Sequence, residues 1–245
     1  MVSTDSPAAY QILFMKEWVA ETDEKKKEYY DQIVPYIKEN CPSIEFVGMA
    51  SKQYETSVGC PPNSFIGKWP SKDEAIKAYE SMVKPDGYVK RDMRIIEGPS
   101  DMFEKGKSYW VAQFEKVIDQ EKWNKYFNAF GAKNQEGFGI MYDDGVERKV
   151  SLKLKYIGPS DFKDNALIGE GNFFMPDCPD DKGLVIIAEF PDFESGLKIK
   201  ECSDYKNVLL SALDLTYTTE EEYVEAEKRM MVESHRRDVR IFEIK

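Results

Sequence analysis

The chain has 245 residues, of which 42% are hydrophobic and 13% aromatic, and this composition excludes an intrinsically disordered protein. The formal net charge of −11 and the pI near 4.8 argue against nucleic acid and anionic membranes as partners, because both require a basic surface. The sequence has no signal-peptide pattern, no apolar run long enough to cross a bilayer and no C-x-x-C pair among its four cysteines, which predicts a cytoplasmic protein.

The first predicted element is a strand at residues 10–18. Apolar side chains occupy both of its faces, so we expect it to be covered on both sides. Thr22 or Asp23 can cap the helix that follows. Pro35 lies inside this helix and predicts a kink or an early end, because proline costs on the order of 3 kcal/mol in a helix interior. The next strand is expected at residues 44–47.

A loop at residues 51–63 is predicted to lead to a strand at 65–69. Pro70 ends that strand, because proline lacks the N–H that a ladder needs. Ser71 then opens a helix with capping-box spacing. A strand at 92–97 completes the first half of the chain.

The second half begins with a strand predicted at residues 109–114 and a helix at 119–130 that ends near Gly131. The segment 137–142 is predicted to be the second strand of this half.

Residues 143–182 form an insertion that the first half lacks. It opens with a turn signal, Asp143-Asp144-Gly145. The alternation at residues 150–156 predicts a half-exposed strand. Residues 161–182 combine a polar loop composition with an apolar cluster, and we interpret them as a lid or an edge cover.

A continuous apolar run at residues 184–188 predicts a buried strand that Pro191 ends. Asp192 then caps a helix expected to run to Leu209. A second capping box predicts an extra helix at about residues 220–235, which also has no counterpart in the first half.

The last strand, at residues 238–243, repeats the pattern of residues 92–97, since both read D-x-R-I-x-E. Each half therefore has the order strand, helix, strand, strand, helix, strand, which is the βαββαβ order of a ferredoxin-like unit. We predict an α+β fold with one repeat at residues 1–98, a linker at 99–107 and a second repeat at 108–245.

Four short motifs point to a known family. They are Tyr109-Trp110, Val34-Pro35-Tyr36-Ile37, Phe190-Pro191 and Ser203-Asp204-Tyr205. With them the chain resembles the dimeric α/β-barrel superfamily, and within it a widespread small domain of unassigned function. Such proteins usually bring two βαββαβ units from separate chains face to face, so the resemblance implies an intramolecular dimeric α/β-barrel here.

The resemblance also implies where to look for a site, because sites in such proteins typically lie between each sheet and its helices. The second repeat has no proline matching Pro35, and the first lacks the tyrosine motif at Tyr205, so the two pockets should differ. The superfamily includes cofactor-free oxygenases, isomerases, polyketide cyclases and haem enzymes, so the fold does not select a reaction.

Three residues are candidates for catalysis by proton transfer: His235, Tyr30 and Tyr126. His235 is the only histidine, and near a helix C-terminus it could stay partly protonated. The alternative is a surface helix cap. An aromatic ligand-binding wall is predicted from a further set, for which core packing is the alternative explanation: Tyr10, Trp18, Trp69, Trp110 and Trp123.

No cofactor or metal is expected, because the sequence has no Gly-rich phosphate loop and no His/Asp metal cluster. Cys41, Cys60 and Cys178 each precede a proline, a dipeptide also seen in haem-responsive proteins. Proline also favours turns, and with a single histidine in the chain we do not predict haem binding.

The leading hypothesis is a cytoplasmic, cofactor-independent protein that binds a small apolar or aromatic molecule, with isomerisation, cyclisation or oxygenation by acid–base chemistry as candidate reactions. It predicts a monomer with an internal pseudo-dimer or a low-order homo-oligomer. The alternative is a non-catalytic ligand-binding or assembly module in which residues 143–182 make a subunit contact.

Overall fold

A computed structural model describes residues 7–55, 64–81, 88–164 and 183–245. All structural statements below concern these residues. The helices are Asp23–Asn40 (α1), Lys72–Ser81 (α2), Gln120–Glu136 (α3), Phe193–Lys198 (α4), Ser203–Leu210 (α5) and Glu220–Glu233 (α6). The strands are Ala8–Trp18 (β1), Glu45–Glu55 (β2), Ser64–Trp69 (β3), Val89–Gly98 (β4), Ser108–Val117 (β5), Phe138–Met141 (β6), Glu147–Val150 (β7), Lys153–Pro159 (β8), Phe162–Asp164 (β9), Leu184–Phe190 (β10) and His235–Glu243 (β11).

The fold is mixed α+β and is built on one antiparallel sheet. Within the described ranges its strand order is β8-β10-β5-β11-β2-β3-β1-β4-β9. The first half of the chain contributes β2-β3-β1-β4 and the second half β8-β10-β5-β11. The two groups meet where the last strand pairs with β2, for example Phe242 opposite Ala50.

The sheet curls, because the two strands at its ends are consecutive in the chain. Only Ser160 and Asp161 separate β8 from β9. The Ser160 N–H donates to the carbonyl of Gly183 at 2.8 Å, beside β10, while the Asp161 N–H donates to Ile95 of β4 at 2.7 Å. A single extended segment therefore contacts both ends of the sheet.

Curling gives the sheet an inner and an outer face, and both are buried. The inner face carries an apolar cluster with Ile12, Phe14 and Val111. The outer face packs on α1 and α2 in the first half and on α3, α5 and α6 in the second. Burial on both faces explains why the strands are apolar at consecutive positions.

The inner face also holds buried charges from the first D-x-R-I-x-E strand. Asp92 and Arg94 are two residues apart and so point to the same face. Arg94 Nε donates to Asp92 Oδ1 at 3.0 Å. Its guanidinium also donates to the carbonyls of Leu184 and Phe114, at 2.6 and 2.8 Å. This arginine thus links the first half of the chain to the second.

The second copy of the motif makes the reciprocal connection. Arg240 donates to Asp238 Oδ2 at 3.0 Å and to the carbonyl of Met15 at 2.7 Å. It also bonds Ser64 Oγ. Lys16 Nζ lies 2.6 Å from Asp238 Oδ2, and both side chains are buried. Charged side chains in the sheet interior therefore join the two halves in both directions.

Several local expectations are wrong. Of the two outcomes predicted at Pro35, a kink or an early end, the early end does not occur, because helix α1 continues to Asn40. Helix α3 passes Gly131 and ends at Gly137, whose φ of 82° is accessible to glycine but strained for other residues. Strand β2 occupies residues 51–55, which we expected to be loop; residues 56–63 lie outside the described residues.

The helix expected from Asp192 to Leu209 is divided. Helix α4 gives way to a turn of 3-10 helix at Ile199–Glu201, and α5 starts after Cys202, whose Sγ accepts from the Tyr205 N–H. The expected helix cap at Asp192 is confirmed by its bond to the Ser195 N–H, at 2.7 Å.

The segment 137–142 does not supply a strand of the main sheet. Strand β6 instead pairs with β7 in a separate hairpin, and β8 takes the place beside β10. The strand predicted at 150–156 is thus split between β7 and β8. Of the predicted lid at 161–182, β9 pairs with β4 and residues 165–182 lie outside the described residues. In the part of the chain that is described, no helix is long and apolar enough to cross a membrane.

Candidate functional site: two cavities between the sheet and the helices

The first cavity lies between the outer face of β1 and β3 and helix α1, and has a volume of about 270 Å³. Its wall is largely apolar. The lining residues are Gln11, Leu13, Met15, Tyr29, Tyr30, Ile33, Val34, Ile37, Met49, Ser64, Phe65, Tyr79 and Arg91.

Polar groups of the first cavity come from neighbouring strands and helix α2. Arg91 on β4 donates through Nε and Nη2 to the hydroxyl of Tyr79, at 3.1 and 2.7 Å. Gln11 on β1 is 5% exposed, and its Oε1 accepts from Trp69 Nε1 at 3.1 Å. Burial raises the pKa of Tyr29, while the nearby charge of Arg91 lowers it by a smaller amount.

An aromatic cluster surrounds the α1 side of this cavity. The ring centres of Tyr29 and Tyr30 each lie 5.8 Å from that of Trp18 and 5.3 Å from one another. Tyr30 is 40% exposed. It therefore lies at the solvent side of the cavity.

The second cavity lies between β5, β8 and β10 and helix α3, with a volume of about 260 Å³. Its wall is more aromatic than that of the first. The lining residues are Trp110, Ala112, Phe114, Tyr126, Phe127, Phe130, Gly131, Asn134, Leu152, Leu154, Ile186 and Ala188.

A buried arginine contacts two residues that line the second cavity and is hydrogen-bonded to a buried tyrosine. Arg237 Nη2 donates to the hydroxyl of Tyr205 at 3.0 Å. The Arg237 guanidinium lies 4.6 Å from the ring centre of Tyr126 and 6.0 Å from that of Trp110. The side chain of Asn134 forms two bonds with the backbone of Leu152, at 2.9 and 2.7 Å, and so joins α3 to the segment before β8.

The structure places His235 in neither of the two settings considered from the sequence, a partly protonated acid–base group or a surface helix cap. Helix α6 is capped by Ser234, and His235 is the first residue of β11 and fully buried. Its ring centre lies 4.9 Å from that of Tyr126 and 5.0 Å from that of Trp123. Burial lowers the pKa of His235 well below its ordinary value, and the charge of Arg237 adds to the effect. The imidazole is therefore neutral at neutral pH and lines neither cavity.

Tyr10 lies apart from both cavities, on the inner face of the sheet. Its ring packs edge-on against Phe103 at 5.2 Å, and Phe103 packs in the same way on Tyr109 at 4.9 Å. The Tyr10 hydroxyl donates to the carbonyl of Pro99. Burial raises the pKa of Tyr10 to about 12. Its surroundings are those of a core residue.

The remaining candidates divide between the cavities. Tyr30 lines the first cavity, and Trp18 packs on Tyr30. Trp69 donates a hydrogen bond to Gln11, which lines the same cavity. Trp110 and Tyr126 line the second. Trp123 stacks on the cavity residue Phe127, with ring centres 5.5 Å apart.

Sequence reasoning missed Gln11, Arg91 and Arg237. A signal was present for the arginines, because both D-x-R-I-x-E strands are preceded by arginine and so read R-D-x-R. Gln11 is a polar residue in a strand with two apolar faces, and this exception to the apolar pattern was the sequence signal for a special role. In the described part of the chain, no group of three or more His, Cys, Asp or Glu side chains is arranged to hold a metal.

No protein-family model and no curated protein matches the chain. Among solved structures, an anthrone oxidase-like protein superposes with a TM-score of 0.37 and 11% identity, over 100% of this chain and 94% of that one. A chlorite dismutase from Candidatus Nitrospira defluvii, in complex with imidazole, gives a TM-score of 0.36 and 9% identity over 96% and 90%. A dye-decolorizing protein from V. cholerae gives 0.33 and 11% over 98% and 93%. These superpositions are too loose to assign this chain a fold family or an activity.

Proposed function

We propose that this chain is a single-chain version of the dimeric α/β-barrel and that it binds one small apolar or aromatic molecule in each of its two sheet–helix cavities. The observation that carries the proposal is the occurrence of two cavities of nearly equal volume, about 270 and 260 Å³, on the outer face of the two halves of the sheet. Apolar clefts with a few polar groups are the usual form of small-molecule sites.

The two-repeat arrangement is supported by the strand order, because β2-β3-β1-β4 and β8-β10-β5-β11 place equivalent strands at equivalent positions. It is also supported by the cavity walls. With the helix caps Thr22 and Asp119 aligned, the α1 and α3 residues that line the cavities correspond in order: Tyr29 and Tyr126, Tyr30 and Phe127, Ile33 and Phe130, Val34 and Gly131, Ile37 and Asn134.

The proposed chemistry is cofactor-independent isomerisation, cyclisation or oxygenation by acid–base catalysis. Of the cavity-lining side chains, those with a dissociable hydroxyl on the first helix of each half are Tyr29, Tyr30 and Tyr126. Proton transfer in either cavity would fall to these tyrosines, because His235 lines neither. Binding is the part of the proposal that can be tested without knowing the reaction.

Equilibrium dialysis with 2-ethylnaphthalene tests the two sites. We expect the wild-type chain to bind two equivalents. Val34→Trp and Gly131→Trp place a bulky ring at the mouth of the first and second cavity, and each should reduce the stoichiometry to one. Val232→Trp, at an exposed position on α6, is the matched control and should still bind two. Absence of binding, or binding that neither blocking variant changes, would refute the proposal.

The alternative, an assembly module, predicts self-association through the insertion. Residues 153–159 and 162–164 belong to the sheet, so the deletion is limited to residues 165–182 and keeps both of these strands. Sedimentation of the intact chain beside this deletion separates the two ideas. We expect the same state of assembly in both cases, and an oligomer that dissociates on deletion would favour the assembly module.

A further inference from the structure

Gln11 is a polar side chain in an apolar wall. It lies on the outer face of β1 with Leu13 and Met15, lines the first cavity and is 5% exposed. A buried amide is unfavourable unless its hydrogen-bonding groups are satisfied. The hydrogen-bond partners of Gln11 therefore indicate which kind of ligand group the cavity wall can bind.

Trp69 fixes the orientation of this amide. Its Nε1 lies 3.1 Å from Gln11 Oε1. An indole N–H can only donate a hydrogen bond, so the Gln11 atom that faces it must be the amide oxygen. The oxygen and nitrogen of an amide look alike, and this hydrogen bond tells them apart. The NH₂ group is consequently turned away from Trp69. Among the described residues it has no acceptor.

Tyr29 supplies a second group of the same kind. Its ring lines the first cavity from α1, and its hydroxyl has no hydrogen-bond partner in the described ranges. Because burial raises its pKa, the hydroxyl keeps its proton at neutral pH and can donate. The first cavity therefore carries two donors, one on the strand wall and one on the helix wall.

The second cavity matches one of these two positions and differs at the other. Tyr126 corresponds to Tyr29 and lines the second cavity. Trp110 replaces Gln11, and its indole nitrogen is buried from solvent with no hydrogen-bond partner among the described residues. The amide of Asn134 is occupied by its two bonds to Leu152. The donor pair is thus a property of the first cavity and not of the fold.

We propose that the first cavity takes an aromatic ketone or aldehyde of one or two rings, whose carbonyl oxygen accepts hydrogen bonds from Gln11 Nε2 and the Tyr29 hydroxyl. The proposal rests on the proposed binding function. The size limit follows from comparison with a cavity of about 150 Å³, which accommodates benzene, whereas the first cavity measures about 270 Å³. Trp69 acts as a positioning residue, because it holds the Gln11 amide with its donor side available.

The test compares two ligands of nearly the same shape, 2-acetylnaphthalene and 2-ethylnaphthalene, which differ in the carbonyl oxygen. It uses the Gly131→Trp chain, in which the second cavity is blocked. We expect the ketone to bind at least about 3- to 10-fold more tightly, which is the gain that one neutral hydrogen bond predicts. Gln11→Met, which keeps the length of the side chain, should reduce this preference, and combining it with Tyr29→Phe should abolish the preference. The ratio of the two affinities is the readout, so a change in affinity that is common to both ligands cancels.

The infrared carbonyl stretch of bound 2-acetylnaphthalene reports the contact directly. It should shift to lower frequency in the Gly131→Trp chain and return toward its apolar-solvent value when Gln11→Met is added. Trp69→Phe should weaken both the ligand preference and the infrared shift. When Gln11→Met is already present, Trp69→Phe should change neither of them. A merely structural role of Trp69 would not make its effect depend on Gln11 in this way.

Two outcomes overturn the proposal. Equal affinity for the two ligands would show that no donor contacts the carbonyl. A preference that Gln11→Met leaves undiminished, or that survives Gln11→Met combined with Tyr29→Phe, would place the contact elsewhere. In both cases 2-ethylnaphthalene still binds, so failure of carbonyl recognition can be distinguished from failure of the binding function itself.

Discussion

At the scale of single residues, the buried carboxylate of Asp238 is expected to have a large effect on stability. It contacts both Lys16 and Arg240 in the interior of the sheet. Removing one partner of a buried ion pair leaves uncompensated charge and costs roughly 3–5 kcal/mol. We therefore expect Asp238→Asn to lower the free energy of unfolding by about that amount, measured by urea denaturation.

The control for this prediction is an ion pair of the same type on the surface. Lys27 and Asp31 form an exposed pair on α1. Exposed pairs contribute about 0–1 kcal/mol, so Asp31→Asn should change stability little. A loss of equal size in the two variants would contradict a special role for the interior charges.

His235 predicts a pH dependence of stability. In the unfolded chain its pKa returns to about 6.5, whereas burial holds it well below that value in the folded chain. Below pH 6.5 the unfolded state therefore binds a proton that the folded state does not. Stability should fall as the pH is lowered from about 6.5 to 5, by at most about 1.4 kcal/mol per pH unit.

The measurement is urea unfolding of the wild type and of His235→Phe at about pH 7.5 and at about one and two pH units below it. Phenylalanine suits the surrounding rings of Phe114, Trp123 and Tyr126. The variant should lose less stability than the wild type between the first and last pH. Identical losses would mean that His235 can become protonated in the folded chain.

At the scale of elements, helix α3 has one glycine in its interior and a second glycine at its C-terminal cap. Gly131 is inside the helix, and a Cβ added there would meet nothing within 4 Å. Gly131→Ala should therefore stabilise the chain by about 0.5–1 kcal/mol. Gly137 ends the helix with φ of 82°, and a Cβ there would lie 3.1 Å from that of Lys149. Gly137→Ala should destabilise by about 1–2 kcal/mol.

Thermal unfolding of both variants measures this contrast. A higher midpoint for Gly131→Ala and a lower one for Gly137→Ala are expected. If Gly131→Ala were also destabilising, its place at the mouth of the second cavity would not be the open space that its geometry indicates.

The sequence predicted the elements better than their pairing. Short-range signals such as the caps at Thr22, Asp192 and Thr219 depend on neighbouring residues, so they can be read from a single chain. The departure of β6 from the main sheet depends on competition with β8 for the edge of β10. That competition is decided by tertiary packing, which local patterns do not contain.

The site was predicted in part for a similar reason. Aromatic residues such as Tyr30, Trp110 and Tyr126 were identified by type, and the structure places them at cavities. Gln11 was overlooked because its neighbours on the strand are apolar. His235 was misjudged because a helix end in the sequence gave no indication that the following residue is buried.

At the scale of the whole molecule, the interior charges connect the two halves of the chain. Arg94 of the first half bonds carbonyls of the second, and Arg240 of the second half bonds Met15 of the first. Such directional contacts favour one alignment of the two sheets, because an apolar interior alone would tolerate several.

The pairing of β11 with β2 has a consequence for synthesis. The partner of Glu55 is Val239, close to the other end of the chain. At roughly 5–20 residues per second, a ribosome needs on the order of ten seconds or more to deliver that partner. Until then the edge of β2 has unpaired N–H and carbonyl groups that can recruit other nascent chains. We therefore expect early protection by chaperones to matter more for the yield of this protein than for its final stability.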